Sequence, residues 1–107
     1  MSRPEPTLGN PKNTIEILQK YKFVFQKKFG QNFLIDEHVL EKIIQAAGVG
    51  PDDFVVEIGP GIGTMTQYLA HAARGVAAVE IDRALIPILK DTLSSYDNVT
   101  VINEDIL

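Results

Sequence analysis

The chain has 107 residues, of which 45% are hydrophobic, 22% are charged and none is cysteine. These values indicate one small globular domain and exclude a disordered chain, a collagen-like fibre and a disulfide scaffold. No apolar run approaches the length of about 20 residues that a membrane span needs. Residues 1–6 also lack the apolar core of a secretory signal. The sequence therefore predicts a cytoplasmic protein without a membrane segment.

The net charge of −4 is divided unevenly along the chain. Residues 1–34 carry six basic and two acidic side chains, whereas residues 35–107 carry four basic and twelve acidic ones. A basic arm on an acidic body is typical of a chain whose arm meets an anionic partner.

The first third of the chain divides into a tail and an arm. Residues 1–12 hold three prolines and a glycine, which predict a flexible tail. Residues 13–35 form the basic arm, in which Asn13 and a glutamate three residues later resemble a capping box. This box predicts a short helix over residues 15–21, and a loop over residues 22–35 follows.

The arm also concentrates aromatic side chains, because it holds five of the eight in the chain together with four lysines. Aromatic rings stack on RNA bases while lysines neutralise phosphates, which favours an RNA contact. The alternative is that the rings pack on the rest of the protein while the lysines stay in solvent. Both interpretations remain open at this point.

From residue 36 onward, helices alternate with strands. Asp36 and Gly48 are predicted to cap the two ends of an amphipathic helix whose apolar stripe faces the core. A buried strand over residues 54–58 comes next, followed by a helix over residues 64–74. A second strand (residues 76–81), another helix (residues 82–93) and a third strand (residues 99–102) complete the predicted elements. Pro87 lies within the last helix, which predicts a late start or a kink. This alternation predicts an α/β fold with a parallel sheet. The three strands make up half of a doubly wound sheet.

A glycine-rich loop follows the first strand. Residues 57–64 read Glu-Ile-Gly-Pro-Gly-Ile-Gly-Thr, so Thr64 stands where a dinucleotide-binding fingerprint has its third glycine. Glu57 would repel a pyrophosphate at this loop but would attract the ammonium group of an amino-acid zwitterion. S-adenosylmethionine combines such a zwitterion with a nucleoside and carries no phosphate. Gly59 and Gly61 would let the backbone approach this ligand.

Two further carboxylates lie at the end of the second strand and just beyond the third. Glu80 can accept hydrogen bonds from both hydroxyls of a ribose, as acids at this place do in doubly wound folds. Asp105 lies at the same edge of the sheet and can accept a hydrogen bond from an adenine amino group. Both side chains could instead cap helices or lie in solvated turns.

A string in the arm carries a family resemblance. Residues 28–36 read Lys-Phe-Gly-Gln-Asn-Phe-Leu-Ile-Asp. With the loop at residues 57–63 and the Glu-Ile-Asp at residues 80–82, the chain resembles the N-terminal half of the ribosomal RNA adenine N6,N6-dimethyltransferases. The resemblance covers about residues 14–107 and favours the bacterial small-subunit branch, the dimethyladenosine transferases of kasugamycin resistance.

The resemblance implies a fold, a reaction and a set of site residues. The fold is a Rossmann-like class I methyltransferase domain with strand order 3-2-1. The reaction is the transfer of two methyl groups from S-adenosylmethionine to one adenine N6 of small-subunit ribosomal RNA. The residues that the resemblance assigns to the cofactor are Asn32, Leu34, Gly59, Gly61, Glu80 and Asp105.

The family's catalytic motif, Asn-Leu-Pro followed by an aromatic residue, does not occur in these 107 residues. The sequence therefore predicts that residues 36–107 are a partial S-adenosylmethionine-binding domain, truncated before that motif, and that this chain alone transfers no methyl group. The truncation is also expected to leave the strand at residues 54–58 without a neighbour. Self-association through this edge, or cover by the arm at residues 13–35, is predicted.

Three other functions remain in competition. The first is a large-subunit ribosomal RNA methyltransferase of macrolide resistance, although residues 86–90 and 98–101 look more like the small-subunit branch. The second is an NAD-binding oxidoreductase domain, against which Thr64 and Glu57 count. The third is a non-catalytic RNA or transcription partner.

Overall fold

The structure is a computed structural model that describes residues 4, 6–22 and 36–107. Its helices and strands, in chain order, are α1 (Pro11–Lys20), α2 (Glu37–Ala47), β1 (Phe54–Ile58), α3 (Thr64–Ala72), β2 (Gly75–Val79), a 3-10 turn (Arg83–Leu85), α4 (Ile86–Thr92) and β3 (Val99–Ile102). Within the described ranges, no helix is both long enough and apolar enough to cross a membrane.

The three strands form one parallel sheet with β2 in the centre. Ile58 of β1 is level with Val79 of β2, which is level with Ile102 of β3. The carboxyl ends of all three strands therefore meet at one edge. This arrangement confirms the predicted α/β fold and its strand order, 3-2-1.

Helices cover one face of this sheet. Apolar side chains of α3 pack on one residue from each strand, Val55, Val76 and Val99. On the other face of β1, Phe54, Val56 and Ile58 are 67%, 57% and 57% exposed. Successive side chains of a strand point to opposite faces, so the prediction that β1 is buried is wrong for this face.

The first helix begins earlier than the sequence predicts. Asn10 caps α1, because its side-chain oxygen accepts a hydrogen bond from the backbone N–H of Lys12 at 3.0 Å. Pro11 occupies the first turn, where a proline sacrifices no helical hydrogen bond. The predicted cap at Asn13 is therefore wrong, and its side chain instead donates to the backbone carbonyl of Thr7 at 2.9 Å.

The residues before α1 are packed against the rest of the protein. Leu8 is buried in a core cluster with side chains of α1, the glycine loop and α4. Its backbone N–H donates to the side-chain oxygen of Gln67 at 2.8 Å, and the Gln67 amide donates to the backbone carbonyl of Pro6 at 3.2 Å. Residues 6–10, which their composition assigns to a flexible tail, are thus held by contacts distant in the sequence.

Local signals around α2 and α4 are confirmed. The carboxylate of Asp36 accepts a hydrogen bond from the backbone N–H of His38 at 2.7 Å. Gly48 ends α2 with a φ of +69°. The start of α4 at Ile86 places Pro87 in the first turn, which confirms the predicted late start.

The apolar stripe of α2 is only partly buried among the described residues. Leu40 is fully buried, whereas Val39 and Ile43 are nearly half exposed. The prediction of a core-facing stripe is therefore wrong at these two positions. The loop predicted over residues 22–35 lies almost wholly outside the described residues.

Candidate functional site

The carboxyl edge of the sheet carries a small cleft of about 110 Å³. Three of the residues predicted from the sequence line it together, namely Gly59 after β1, Glu80 after β2 and Asp105 after β3. They meet because three parallel strands end at the same level, although 46 residues separate the first from the last. Strand β2 ends at Val79, so Glu80 directly follows it, whereas the sequence predicted a strand over residues 76–81 that included Glu80.

Glycines shape the loop between β1 and α3. The φ angles of Gly59, Gly61 and Gly63 are +71°, +64° and +96°, a region that residues with side chains rarely adopt. At Gly59, the place where a Cβ atom would stand has no atom within 4 Å from any described residue other than Gly59 and its two chain neighbours. A ligand in the cleft can therefore approach the backbone of Gly59 closely.

The Glu80 side chain is buried and held by two backbone groups. One carboxylate oxygen accepts a hydrogen bond from the N–H of Gly61 at 3.2 Å, and the other accepts one from the N–H of Asp82 at 3.0 Å. A carboxylate can accept about four hydrogen bonds, so these two leave acceptor positions for a ligand. The loop after β1 and the end of β2 are thus joined through the residue predicted to bind a ribose.

Sequence reasoning missed Asn103, which follows β3. Its side-chain amide donates to the backbone carbonyl of Glu80 at 2.7 Å, while the N–H of Glu80 donates to the carbonyl of Ile102 at 2.9 Å. These bonds fix the backbone on which the Glu80 carboxylate depends. The sequence did carry a signal for this role, because an asparagine directly after the third strand lies at the predicted edge of the sheet.

Asp105 lies at the other side of the cleft, next to apolar surface. Its carboxylate accepts a hydrogen bond from the backbone N–H of Leu107 at 2.9 Å, which holds the side chain in place. Ile81 and Ile106 also line the cleft and are well exposed. An acceptor beside flat apolar surface suits an aromatic heterocycle that carries an amino group.

The structure does not place Glu57 in this cleft. Its side chain lies on the helix-covered face of β1, and its carboxylate accepts a hydrogen bond from the hydroxyl of Thr66 in α3. Burial raises the pKa of Glu57 above its ordinary value, and the bond from Thr66 opposes this rise only in part. The negative charge of Glu57 is therefore under-compensated close to the glycine loop.

Two predicted residues, Asn32 and Leu34, lie outside the described residues. In the ranges that the structure describes, no group of three or more His, Cys, Asp or Glu side chains could hold a metal ion.

Comparison with known sequences identifies close relatives. Residues 22–107 match the family described as ribosomal RNA adenine dimethylase. The chain is 74% identical over 101 residues to the ribosomal RNA small subunit methyltransferase A of Lachnoclostridium phytofermentans, covering 94% of this chain and 35% of that protein. It is 54% identical to the protein of the same name from Staphylococcus carnosus, covering 94% and 34%. The chain thus spans about a third of the length of these curated relatives.

Solved structures share the fold. A 23S rRNA methyltransferase, ErmE, superposes with a TM-score of 0.64 and 42% identity, covering 69% of this chain and 30% of that chain. A dimethyladenosine transferase from Plasmodium falciparum gives a TM-score of 0.60 and 34% identity, covering 66% and 26%. These likenesses confirm the predicted class I methyltransferase fold and favour it over an NAD-binding domain.

The substitution Glu57→Gln is expected to stabilise the unliganded protein at neutral pH. Because the pKa of Glu57 is raised on folding, the folded state binds the proton more tightly than the unfolded chain does. The stabilisation that this proton provides is present below the unfolded pKa and is lost as the pH rises through the folded pKa. Glutamine does not ionise and can still accept the bond from Thr66, so it avoids that loss.

Urea unfolding at a series of pH values measures this effect. The variant should be more stable than the wild type above the raised pKa. The difference should shrink as the pH falls from that raised pKa toward the ordinary value of 4.5, and it should be absent well below 4.5. A difference that stays constant across this range would contradict the assignment. Glu16→Gln, on an exposed position of α1, is the matched control and should show no such dependence.

Proposed function

Because this chain belongs to the ribosomal RNA adenine dimethylase family, we propose that it is the S-adenosylmethionine-binding part of an enzyme that methylates adenine N6 in small-subunit ribosomal RNA. The observation that carries the proposal is the convergence of Gly59, Glu80 and Asp105 on one cleft at the carboxyl edge of the sheet. This edge is where doubly wound folds bind nucleosides. A ribosomal substrate would also place the protein in the cytoplasm.

The charge of the cleft supports a nucleoside without phosphate. Its lining includes three acidic residues, Glu80, Glu104 and Asp105, and no basic one among the described residues. Phosphate groups would be repelled there, whereas a sulfonium or ammonium cation would be attracted. This preference separates S-adenosylmethionine from NAD and ATP, which present the same adenosine.

Glu80 would bind the ribose of the cofactor. The two adjacent hydroxyls of a ribose are both donors, and the Glu80 carboxylate keeps acceptor positions free beyond its bonds from Gly61 and Asp82. Since those bonds already fix the carboxylate, little side-chain freedom would be lost on binding. Hydrogen bonds to a charged acceptor in a buried place are the stronger kind.

The adenine and methionine ends would lie on either side of the ribose. Asp105 would accept a hydrogen bond from the adenine amino group, with Ile81 and Ile106 against the ring. At the other end, the open backbone of Gly59 and the negative charge of Glu57 would favour the amino-acid group. Asn32 and Leu34 are proposed for the same end on the family resemblance.

The bound cofactor would supply an activated methyl group on a sulfonium. The residues of this chain would bind and orient that group, which is how a protein lowers the barrier when the reagent is already reactive.

Small-subunit ribosomal RNA is the proposed substrate because the curated relatives named above carry that designation at up to 74% identity. The 42% identity to the 23S enzyme ErmE supports large-subunit RNA as the second candidate. The basic aromatic arm at residues 13–35 would contact RNA in either case.

A chimaera tests whether the chain serves as this part of the enzyme. In it, residues 1–107 replace the matching N-terminal third of the Lachnoclostridium phytofermentans relative. The chimaera is expected to transfer methyl groups to small-subunit particles, and the same chimaera with Glu80→Gln is expected to lose most of this activity. Methylation of large-subunit RNA instead would favour the second candidate, and a folded but inactive chimaera would contradict the proposal.

Titration calorimetry with S-adenosylhomocysteine tests the ribose contact directly. The charge-assisted bonds lost in Glu80→Gln are worth about 1.5–3 kcal/mol, so the affinity should fall roughly 10- to 100-fold. Glu16→Gln serves as the matched control and should bind like the wild type. Equal affinity of both variants would exclude the ribose role, and tighter binding of ATP than of S-adenosylhomocysteine would contradict the charge argument.

We also propose that this chain self-associates through β1. One edge of β1 pairs with β2, and the other has no strand partner among the described residues. The solvent-exposed face of the same strand carries Phe54, Val56 and Ile58. The alternative, cover by the arm, is wrong for residues 13–22, because α1 packs on the glycine loop and α4, and residues 23–35 lie outside the described part.

Sedimentation at increasing protein concentration measures this association. The wild type is expected to form dimers or larger species, and Val56→Lys is expected to shift it toward the monomer, because a lysine on an edge strand opposes pairing with another chain. Gln45→Lys, on the exposed side of α2, is the control for added charge. A wild type that remains monomeric at every concentration would contradict the proposal.

A further inference from the structure

A buried series of hydrogen bonds connects the glycine loop to the segment before α1. The hydroxyl of Thr92, at the end of α4, donates to the backbone carbonyl of Ile62 in the loop at 2.7 Å. The backbone carbonyl of Thr92 accepts a hydrogen bond from the Gln67 amide at 2.8 Å, and the Gln67 oxygen accepts one from the N–H of Leu8 at 2.8 Å. All four residues are buried.

Apolar packing reinforces the same connection. The side chains of Leu8 and Ile62 belong to one core cluster, together with side chains of α1 and α4. The loop is therefore held at Ile62 by its side chain and by its carbonyl at once. Gly63 makes room for this, because a Cβ atom there would lie 2.9 Å from the Thr92 hydroxyl oxygen.

The position of this anchor matters for the cleft. Ile62 directly follows Gly61, whose N–H donates to the Glu80 carboxylate. Glycines have large conformational freedom, and fixing them costs entropy. An anchor that holds the loop before the ligand arrives reduces the entropy lost on binding.

We propose that Thr92, supported by Gln67 and the segment at residues 6–10, is a positioning residue that holds the glycine loop in its ligand-binding shape. The inference rests on the proposed function, since the ligand of the loop is the cofactor proposed above. Thr92 does not line the cleft. It acts through the carbonyl of Ile62 and the backbone that leads to Gly61.

Two substitutions separate this role from a merely structural one. Thr92→Val removes the hydroxyl and keeps the shape of the side chain, whereas Thr92→Ser keeps the hydroxyl and removes a methyl group. Val76→Ala is the control for lost stability, because Val76 is buried at the opposite, amino end of β2. The readouts are S-adenosylhomocysteine affinity by calorimetry and amide hydrogen exchange of Gly61 and Gly63 without ligand.

Thr92→Val is expected to weaken the affinity about three- to tenfold, which is the effect of one hydrogen bond. The same variant should speed exchange of the two glycine amides by a similar factor. Thr92→Ser should restore both values to within about twofold, and Val76→Ala should change stability alone.

If Thr92→Val loses stability but keeps both the affinity and the exchange rates of the wild type, the inference is overturned. Equal losses in Thr92→Val and Thr92→Ser would also overturn it, because the hydroxyl would then not be the cause. A wild type that binds no S-adenosylhomocysteine would refute the proposed function instead. Amide exchange in the free protein would still decide the role of Thr92.

Discussion

The hydrogen bond from the Gly61 N–H to the Glu80 carboxylate joins the two halves of the candidate site. It connects the loop after β1 to the end of β2, and its geometry depends on the parallel register that brings both strand ends to one edge. Asn103 after β3 fixes the Glu80 backbone from the other side. Every strand of the sheet thus contributes to the position of one carboxylate. A small domain can hold a polar group this way because the groups that bond to it lie just beyond strands that the sheet already orders.

The charge of the cleft determines which ligands it favours. The cleft collects carboxylates at a place where related folds often bind phosphates, and Glu57 adds a buried negative charge whose pKa is raised by burial. The burial of Glu57 is costly for the isolated protein, since its ionised carboxylate loses hydration without gaining a cationic partner among the described residues. A ligand with an ammonium and a sulfonium group would relieve that cost. The same feature that disfavours the unliganded state therefore favours a cationic nucleoside.

The sequence predicted those parts of the fold that depend on local signals. The limits of β1 and β3, the caps Asp36 and Gly48, and the place of Pro87 follow from propensity and from the geometry of single turns. Glu80 and Asp105 could be assigned to one edge because parallel strands must end together. These predictions needed no knowledge of which helix packs on which face.

Contacts between distant parts of the chain could not be predicted in this way. Leu8 and Gln67 are separated by 59 residues in the sequence, and neither carries a pattern that reveals the bond between them. The tail composition instead suggested mobility, and the sequence placed the cap of the first helix at Asn13 although Asn10 forms it. Likewise, an apolar strand such as β1 predicts burial on both faces, but whether a second layer covers it depends on elements that the strand itself does not specify.

The proposed role of the acidic cleft is to bind an adenosine ligand without phosphates. Nuclear magnetic resonance of the isotopically labelled chain, titrated separately with S-adenosylhomocysteine and with ATP, tests this claim most directly. We expect S-adenosylhomocysteine to shift the amide signals of Gly59, Gly61, Glu80 and Asp105 and to leave the amino ends of the strands unchanged. ATP at equal concentration should shift these signals far less. Equal shifts with both ligands, or shifts that centre elsewhere on the protein, would contradict this role.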